Sequence, residues 1–264
     1  MRIEDLDEPR NIPGVADNIL RTLERLGLHW DEAVLYQSQR NAAYREALDT
    51  LKRNGMVYPC VCSRKEIADS TLRGIEGLIY PGTCRNGIVT SANLMQTVPA
   101  YSWRVRTQAK AIIVEDVLQG CISQSVENEI GDFTVLRADG IFTYQIAVVV
   151  DDAFQGITHI VRGADLLLST PRQIYLQRLL NLSTPAYGHL PIAIHASGEK
   201  LSKQTLAPLA DLSNPAAMVL RVLAFLEQNP PPELAGYDLD SVWQWATAHW
   251  DIRILEGIKT RLAD

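Results

Sequence analysis

Ile146 to Val150 form a nearly unbroken apolar run that stops abruptly at two acids, Asp151 and Asp152. A bilayer span needs about 20 such residues, and no run in the chain approaches that, so this one reads as a buried strand. The acids then mark its carboxyl end, which is where ligands collect in open α/β sheets. With 264 residues and 47% hydrophobic content, the chain can bury one large core, with room for an inserted module. No basic-then-apolar leader is read at the N-terminus, which makes the cytoplasm the expected location.

Periodicity places the other elements around that strand. Ile19, Leu20, Leu23 and Leu26 make a helical stripe from Pro13 to Leu26, with Gly27 as its stop. Tyr44, Ala47, Leu48 and Leu51 make a second, closed by Gly55. Tyr101 to Arg106 and Ile112 to Val114 read as strands, and Asp139-Gly140 as a hairpin turn. Thr170 and Pro171 fit the N-cap and first position of a helix running to Leu180. A short strand, Ile192 to Ile194, follows, and the text turns helical beyond Pro208. Trp243, Trp245 and Trp250 read there as packing residues rather than as a base-stacking platform.

Between Tyr58 and Cys84 the hydrophobic period is lost while Cys, Gly and Pro accumulate. Four cysteines do not make a disulfide scaffold in a chain of this size. The tight Cys60-x-Cys62 pair reads as metal ligation or as reduced thiols, and Cys121 as an isolated core residue. A net charge of −6 argues against indiscriminate nucleic-acid binding, which draws its affinity from neutralised phosphates. A local basic face remains compatible with it. Lys200-Leu201-Ser202-Lys203-Gln204, preceded by Gly198, offers two mobile ammonium groups that can follow a triphosphate as charge builds on it.

In order along the chain, the stretches Arg2-Ile3-Glu4-Asp5-Leu6-Asp7, Gln37-Ser38-Gln39-Arg40, Cys60-Val61-Cys62 with Tyr80 and Cys84, Tyr144 to Asp152, Ile160 to Leu166, His189-Leu190-Pro191 and the lysine loop resemble the catalytic core of class I glutamyl-tRNA synthetases. The resemblance covers about the first four-fifths of the chain. It implies an α/β fold: a Rossmann-like parallel sheet, incomplete on its N-terminal side, with an inserted zinc-binding module and a helical C-terminal part. The corresponding division is 1–56 for the remainder of the first nucleotide-binding half and 57–100 for the zinc-binding, acceptor-end module. Residues 101–210 make the second half with the lysine loop, and 211–264 the helical end.

The same resemblance implies L-glutamate, ATP with Mg and a tRNA as partners of a monomer. Glu4, Tyr144 and Arg162 would contact glutamate. Lys203 would act on ATP with Lys200 and Ser202 in support, and Cys60, Cys62, Tyr80 and Cys84 would hold one structural zinc ion. Bottom-up chemistry agrees on Arg162, whose planar fork at a strand end can take a carboxylate bidentately. Its alternative is a structural network with Asp165 or Asp151. The charged N-terminus could equally be a solvated end, and the cysteines a pair of free thiols.

Gln204, and the short stretch after it, favour the branch of the family that hands glutamate to the queuosine base of tRNA(Asp). Two alternatives stay open: a truncated discriminating enzyme charging tRNA(Glu), and a non-catalytic, zinc-containing tRNA-binding module. The family's His-bearing phosphate loop is not found in this sequence, and Met1 falls where the middle of the first nucleotide-binding unit is expected. The chain as written is therefore expected to form adenylate inefficiently.

Overall fold

The first residues form β1 (Arg2–Ile3), which pairs in parallel with β2 (Leu35–Tyr36) across the intervening helix α1 (Val15–Arg25). The computed structural model describes residues 1–7, 9, 11–68, 73–75, 77–88, 100–201 and 211–263; Ser202, Lys203 and Gln204 of the lysine loop lie outside them. Gly27 closes α1 at φ +74°, the left-handed geometry that glycine tolerates at a helix end. The second helix, α2 (Asn41–Arg53), buries Tyr44, Leu48 and Leu51 on one face as its period requires.

β3 (Val57–Cys60) leads into the small cysteine-bearing region, which holds α3 (Arg64–Ala68) and a hairpin of β4 (Arg73–Gly74) and β5 (Gly77–Leu78). β6 (Ser102–Val105) and β7 (Ala111–Asp116) follow as expected, and β8 (Gly120–Ser125) folds back antiparallel on β7. Alternate residues of β7 are buried, the signature of a strand with one face on the core. Cys121 sits on β8 and is exposed. The expectation that it is a core residue fails because β8 is the outer strand of its sheet. After α4 (Val126–Glu129), β9 (Thr134–Leu136) completes an antiparallel sheet in the order β3-β6-β9. The Asp139-Gly140 turn forms, with Gly140 at φ +85°, but its return side pairs only through the bridge Leu136 to Phe142.

The run Ile146 to Val150 is not a strand. It lies in α5 (Tyr144–Phe154), where Ile146, Ala147, Val148, Val149, Asp151 and Asp152 are all buried. A helix packed on all sides shows no amphipathic period, and a five-residue apolar run then cannot be told from a buried strand. The Asp pair accordingly lies in a helix and not at a strand end. β10 (His159–Gly163) follows, and a 3-10 segment, Ala164–Ser169, runs directly into α6 (Thr170–Leu179). That segment moves the cap to Ser169, so Thr170 and Pro171 are the first two helical residues.

β11 (Ala186–Leu190) lies parallel between β10 and β7, giving the order β10-β11-β7-β8 with three parallel strands and one antiparallel edge. β12 (Ile192–Ile194) turns away from this sheet. The C-terminal part contains α7 (Pro215–Phe225) and α8 (Leu239–His249), which share a small core of Val219, Leu223, Val242 and Ala246. Trp243 and Trp245 pack against it as expected, and the Trp243 indole donates to the Leu26 carbonyl at 2.7 Å. Trp250 stays 41% exposed. The end of the chain is not wholly helical: β13 (Thr260–Leu262) returns to pair in parallel with β12. Among the described residues no helix is long and apolar enough to cross a membrane.

Candidate active site and metal centre

A cleft of about 460 Å³ runs along β10, walled by Arg2, Glu4, Tyr144, Val148, Asp152 and Arg162. Arg162, next to last in β10, sits opposite His189 in the parallel ladder, so the two side chains leave the sheet on the same face. Its Nε–H donates to His189 Nε2 at 3.1 Å. One terminal nitrogen donates to Thr170 Oγ1 at 2.9 Å and Gln173 Oε1 at 2.8 Å, both on α6, and the other donates to the Tyr144 hydroxyl at 3.3 Å. Every one of these partners is an uncharged side chain. Among the described residues no carboxylate lies within 4.0 Å of the guanidinium. The alternative of an Arg162 network with Asp165 or Asp151 is therefore not what forms.

Behind Arg162 stands a fully buried pair. His189 Nδ1 lies 2.5 Å from Asp116 Oδ2, and neither side chain reaches solvent. Burial holds His189 below its usual value, against the pull of Asp116. Burial pushes Asp116 the other way, yet hydrogen bonds from His189 and from the N–H groups of Gln119, Leu118 and His189 keep its carboxyl below the ordinary range. The histidine is thus neutral at pH 7 and the acid ionised.

Glu4 is the most exposed of the expected substrate contacts and is bridged to Arg2 at 3.3 Å. Arg2 also donates to Asp152 at 2.7 Å and to Gln155 at 3.0 Å. Burial holds Asp152 above the ordinary carboxylate value in spite of Arg2. Tyr144 opens α5 beside Arg162, and burial raises its phenol although the guanidinium charge opposes that. The neighbouring Asp151 is wholly enclosed and accepts from Gln37 at 2.9 Å, Arg40 at 2.6 Å and Tyr44 at 2.6 Å. Sequence reasoning picked out Gln37, Arg40 and Asp151 separately but not the contact between them.

Of the lysine loop, Lys200 is described. It follows a turn in which Gly198 takes φ +84°, bridges back to Ile194, and places Nζ 2.5 Å from Asp165 Oδ2. Ser202 and Lys203 fall outside the described residues, so their meeting with Arg162 is not addressed.

Cys60 ends β3, and Cys62 and Cys84 approach it so that the three sulfurs lie within 4.8 Å of one another. The Tyr80 hydroxyl lies 3.3 Å from Cys60 Sγ and 3.5 Å from Cys62 Sγ, and Cys62 and Cys84 Sγ are 3.6 Å apart. A tetrahedral metal with bonds of roughly 2.3 Å to sulfur and 2.0 Å to oxygen requires about 3.8 Å between sulfurs and about 3.5 Å from sulfur to oxygen. The donors fit that requirement. Burial opposes ionisation of Cys60, but hydrogen bonds from Tyr80 and Arg104 outweigh it and lower the thiol, while burial pushes Cys62 up to about 11. Among the described residues little else is buried here: Tyr58, Cys60, Tyr80 and Cys84 make up this cluster's enclosed core.

Nothing in the sequence singles out Asp116, and His189 enters only through the resemblance. Arg162, His189 and Asp116 come from three different strands, the last two 73 positions apart in the chain. No local spacing rule reports such a contact.

The family model "tRNA synthetases class I (E and Q), catalytic domain" matches residues 1–220. A glutamyl-Q tRNA(Asp) synthetase from Dechloromonas aromatica is 53% identical over 252 residues, covering 95% of this chain and 82% of that protein. Another, from Aromatoleum aromaticum, is 51% identical over 253 residues, covering 96% of this chain and 78% of that protein. Among solved structures, a glutamate-tRNA synthetase from Elizabethkingia anophelis superposes with a TM-score of 0.72 over 98% of this chain at 21% identity. A glutamate tRNA ligase from Elizabethkingia meningosepticum, in complex with its amino acid, gives 0.73 over 100% at 20% identity. This chain spans 60% of the length of each of those two, and at such identity the likeness is one of fold.

Proposed function

Since the chain belongs to the class I tRNA synthetases of the glutamyl and glutaminyl group, we propose that it activates glutamate with ATP and transfers it to the queuosine base of tRNA(Asp), in the cytoplasm. The observation that carries the reading is the Arg162 guanidinium, which lines a cleft with only neutral partners. A half-buried cation whose hydrogen-bond partners are all neutral is stabilised when a carboxylate arrives. Arg162 would take the side-chain carboxylate of glutamate, Tyr144 would hydrogen-bond the substrate, and Glu4 would meet its ammonium group. Lys203, with Lys200 and Ser202, would steady the triphosphate and its Mg while the α-carboxylate attacks the α-phosphorus and pyrophosphate leaves. The Lys200–Asp165 contact supports a place for that loop beside the segment following Arg162.

Cys60, Cys62, Tyr80 and Cys84 would hold zinc in a structural role, replacing the core that the small region lacks. The division at 56, 100 and 210 separates this module from the two catalytic segments and from the C-terminal part. The transfer reading takes its support from the names of the 53% and 51% identical relatives.

Labelled glutamate and ATP should yield labelled tRNA(Asp) only when that tRNA carries queuosine. Labelling of tRNA(Glu) instead would reject the proposal.

A further inference from the structure

Arg162 is held in place by a neutral ring, and the acid that could have paired with it is set one group further back. An acid in direct contact would fix the guanidinium equally well, but it would also satisfy the charge that a ligand carboxylate has to meet. We propose that Asp116 is a positioning residue for glutamate recognition: it fixes the Nδ1–H tautomer of His189, leaving Nε2 as the acceptor that orients Arg162 toward the cleft. This rests on the reading of Arg162 as the partner of the glutamate side chain.

The hydrogen-bond inventory assigns the tautomer. Asp116 Oδ1 accepts from the N–H groups of Leu118 at 3.0 Å, Gln119 at 2.8 Å and His189 at 3.2 Å. Oδ2 faces His189 Nδ1 at 2.5 Å. An ionised carboxylate only accepts, so the ring proton sits on Nδ1. Nε2 then carries a lone pair, and the Arg162 Nε–H, 3.1 Å away, is the strongest donor aimed at it; the Thr170 hydroxyl stands at 3.2 Å. With Nε and one terminal nitrogen occupied by His189, Thr170 and Gln173, the remaining terminal nitrogen, shared with Tyr144, is the edge left for a ligand.

Asp116→Asn separates this role from simple packing. The amide oxygen can keep the three backbone bonds, while the amide N–H donates to Nδ1. The ring proton is then driven to Nε2, where it confronts the Arg162 Nε–H. Two measurements are needed on the full chain: the ¹⁵N spectrum of the His189 ring, and the glutamate Kd by calorimetry. The parent protein should show Nδ1 protonated and the variant Nε2 protonated, with Kd raised about 10- to 100-fold. An Nε2-protonated ring in the parent overturns the proposal, as does a switched tautomer with unchanged Kd.

Should Asp116→Asn not fold, His189→Asn keeps a donor toward Asp116 and removes the acceptor. It carries the same expected loss of affinity, and an unchanged Kd there overturns the proposal. Arg162→Gln distinguishes the two levels. Unchanged glutamate affinity there sinks the reading of Arg162 itself, whereas loss there with none in Asp116→Asn sinks only the role of Asp116.

Discussion

Arg162 and Cys60 both stand at the ends of strands, and the protein prepares them in opposite ways. Around Arg162, α6, β11, β7 and the start of α5 supply fixed hydrogen bonds, so the guanidinium is aimed before any ligand arrives. Around Cys60 the enclosed residues are almost all ligand candidates themselves. The scaffold there is the donor set itself, arranged so that an ion could lock it. Preorganisation by packing should survive changes of solvent, whereas preorganisation by an ion should vanish with the ion.

The sharpest way to break that contrast is to strip the metal. Chelation, or Cys84→Ser, should raise hydrogen exchange from β3 through Cys84 by orders of magnitude, because binding energy in such sites is folding energy. Amides of β10 and β11 should stay protected. Equal loosening of both regions would mean that the cysteine region is not independently metal-held. Next in size, Arg162→Ala should lower kcat/KM for glutamate activation by about 10²- to 10³-fold with an unchanged circular dichroism spectrum.

Smaller effects test the packed side alone. Tyr44→Phe removes one of three side-chain donors to the enclosed Asp151. It should cost about 1–3 kcal/mol in urea unfolding without changing metal content. The smallest is a pH effect. The folded value of His189 lies below its ordinary 6.5, so the unfolded chain binds the extra proton first. The stability contribution is therefore complete above about pH 6.5 and is lost as pH falls, by at most about 1.4 kcal/mol per unit. Asp116, Arg162 and Asp165 are the charged groups that act on the ring. A His189→Asn variant should show a flatter dependence between pH 5 and 7.

What the sequence disclosed follows the same line. Helix α2 was legible because one face is wet and the other dry, so the 3.6 period survives in the letters; α1 shows the same period although none of its residues is fully buried. α5 was not legible, because Ile146, Ala147, Val148 and Val149 are all buried although successive residues face different sides of the helix, so the run reads like a strand. Cys121 misled for the converse reason, as a small apolar-looking residue placed on an outer strand. The cysteine set was legible since its chemistry is rare and partly local. The support of Arg162 was invisible, because Asp116, His189, Thr170 and Gln173 are common residues whose meaning arises only when distant strands and α6 come together.

Helix α5 joins two of these sites in one rigid piece. Tyr144 at its first turn meets Arg162, while Asp151 and Asp152 near its last turn are gripped by Arg40, Gln37, Tyr44 and Arg2. Eleven residues of helix make a beam of roughly 16 Å, held by hydrogen bonds at both ends, so a change at one end is carried to the other. A search for altered substrate preference should therefore include Arg40, which lies outside the cleft and reaches it only through Asp151 and α5.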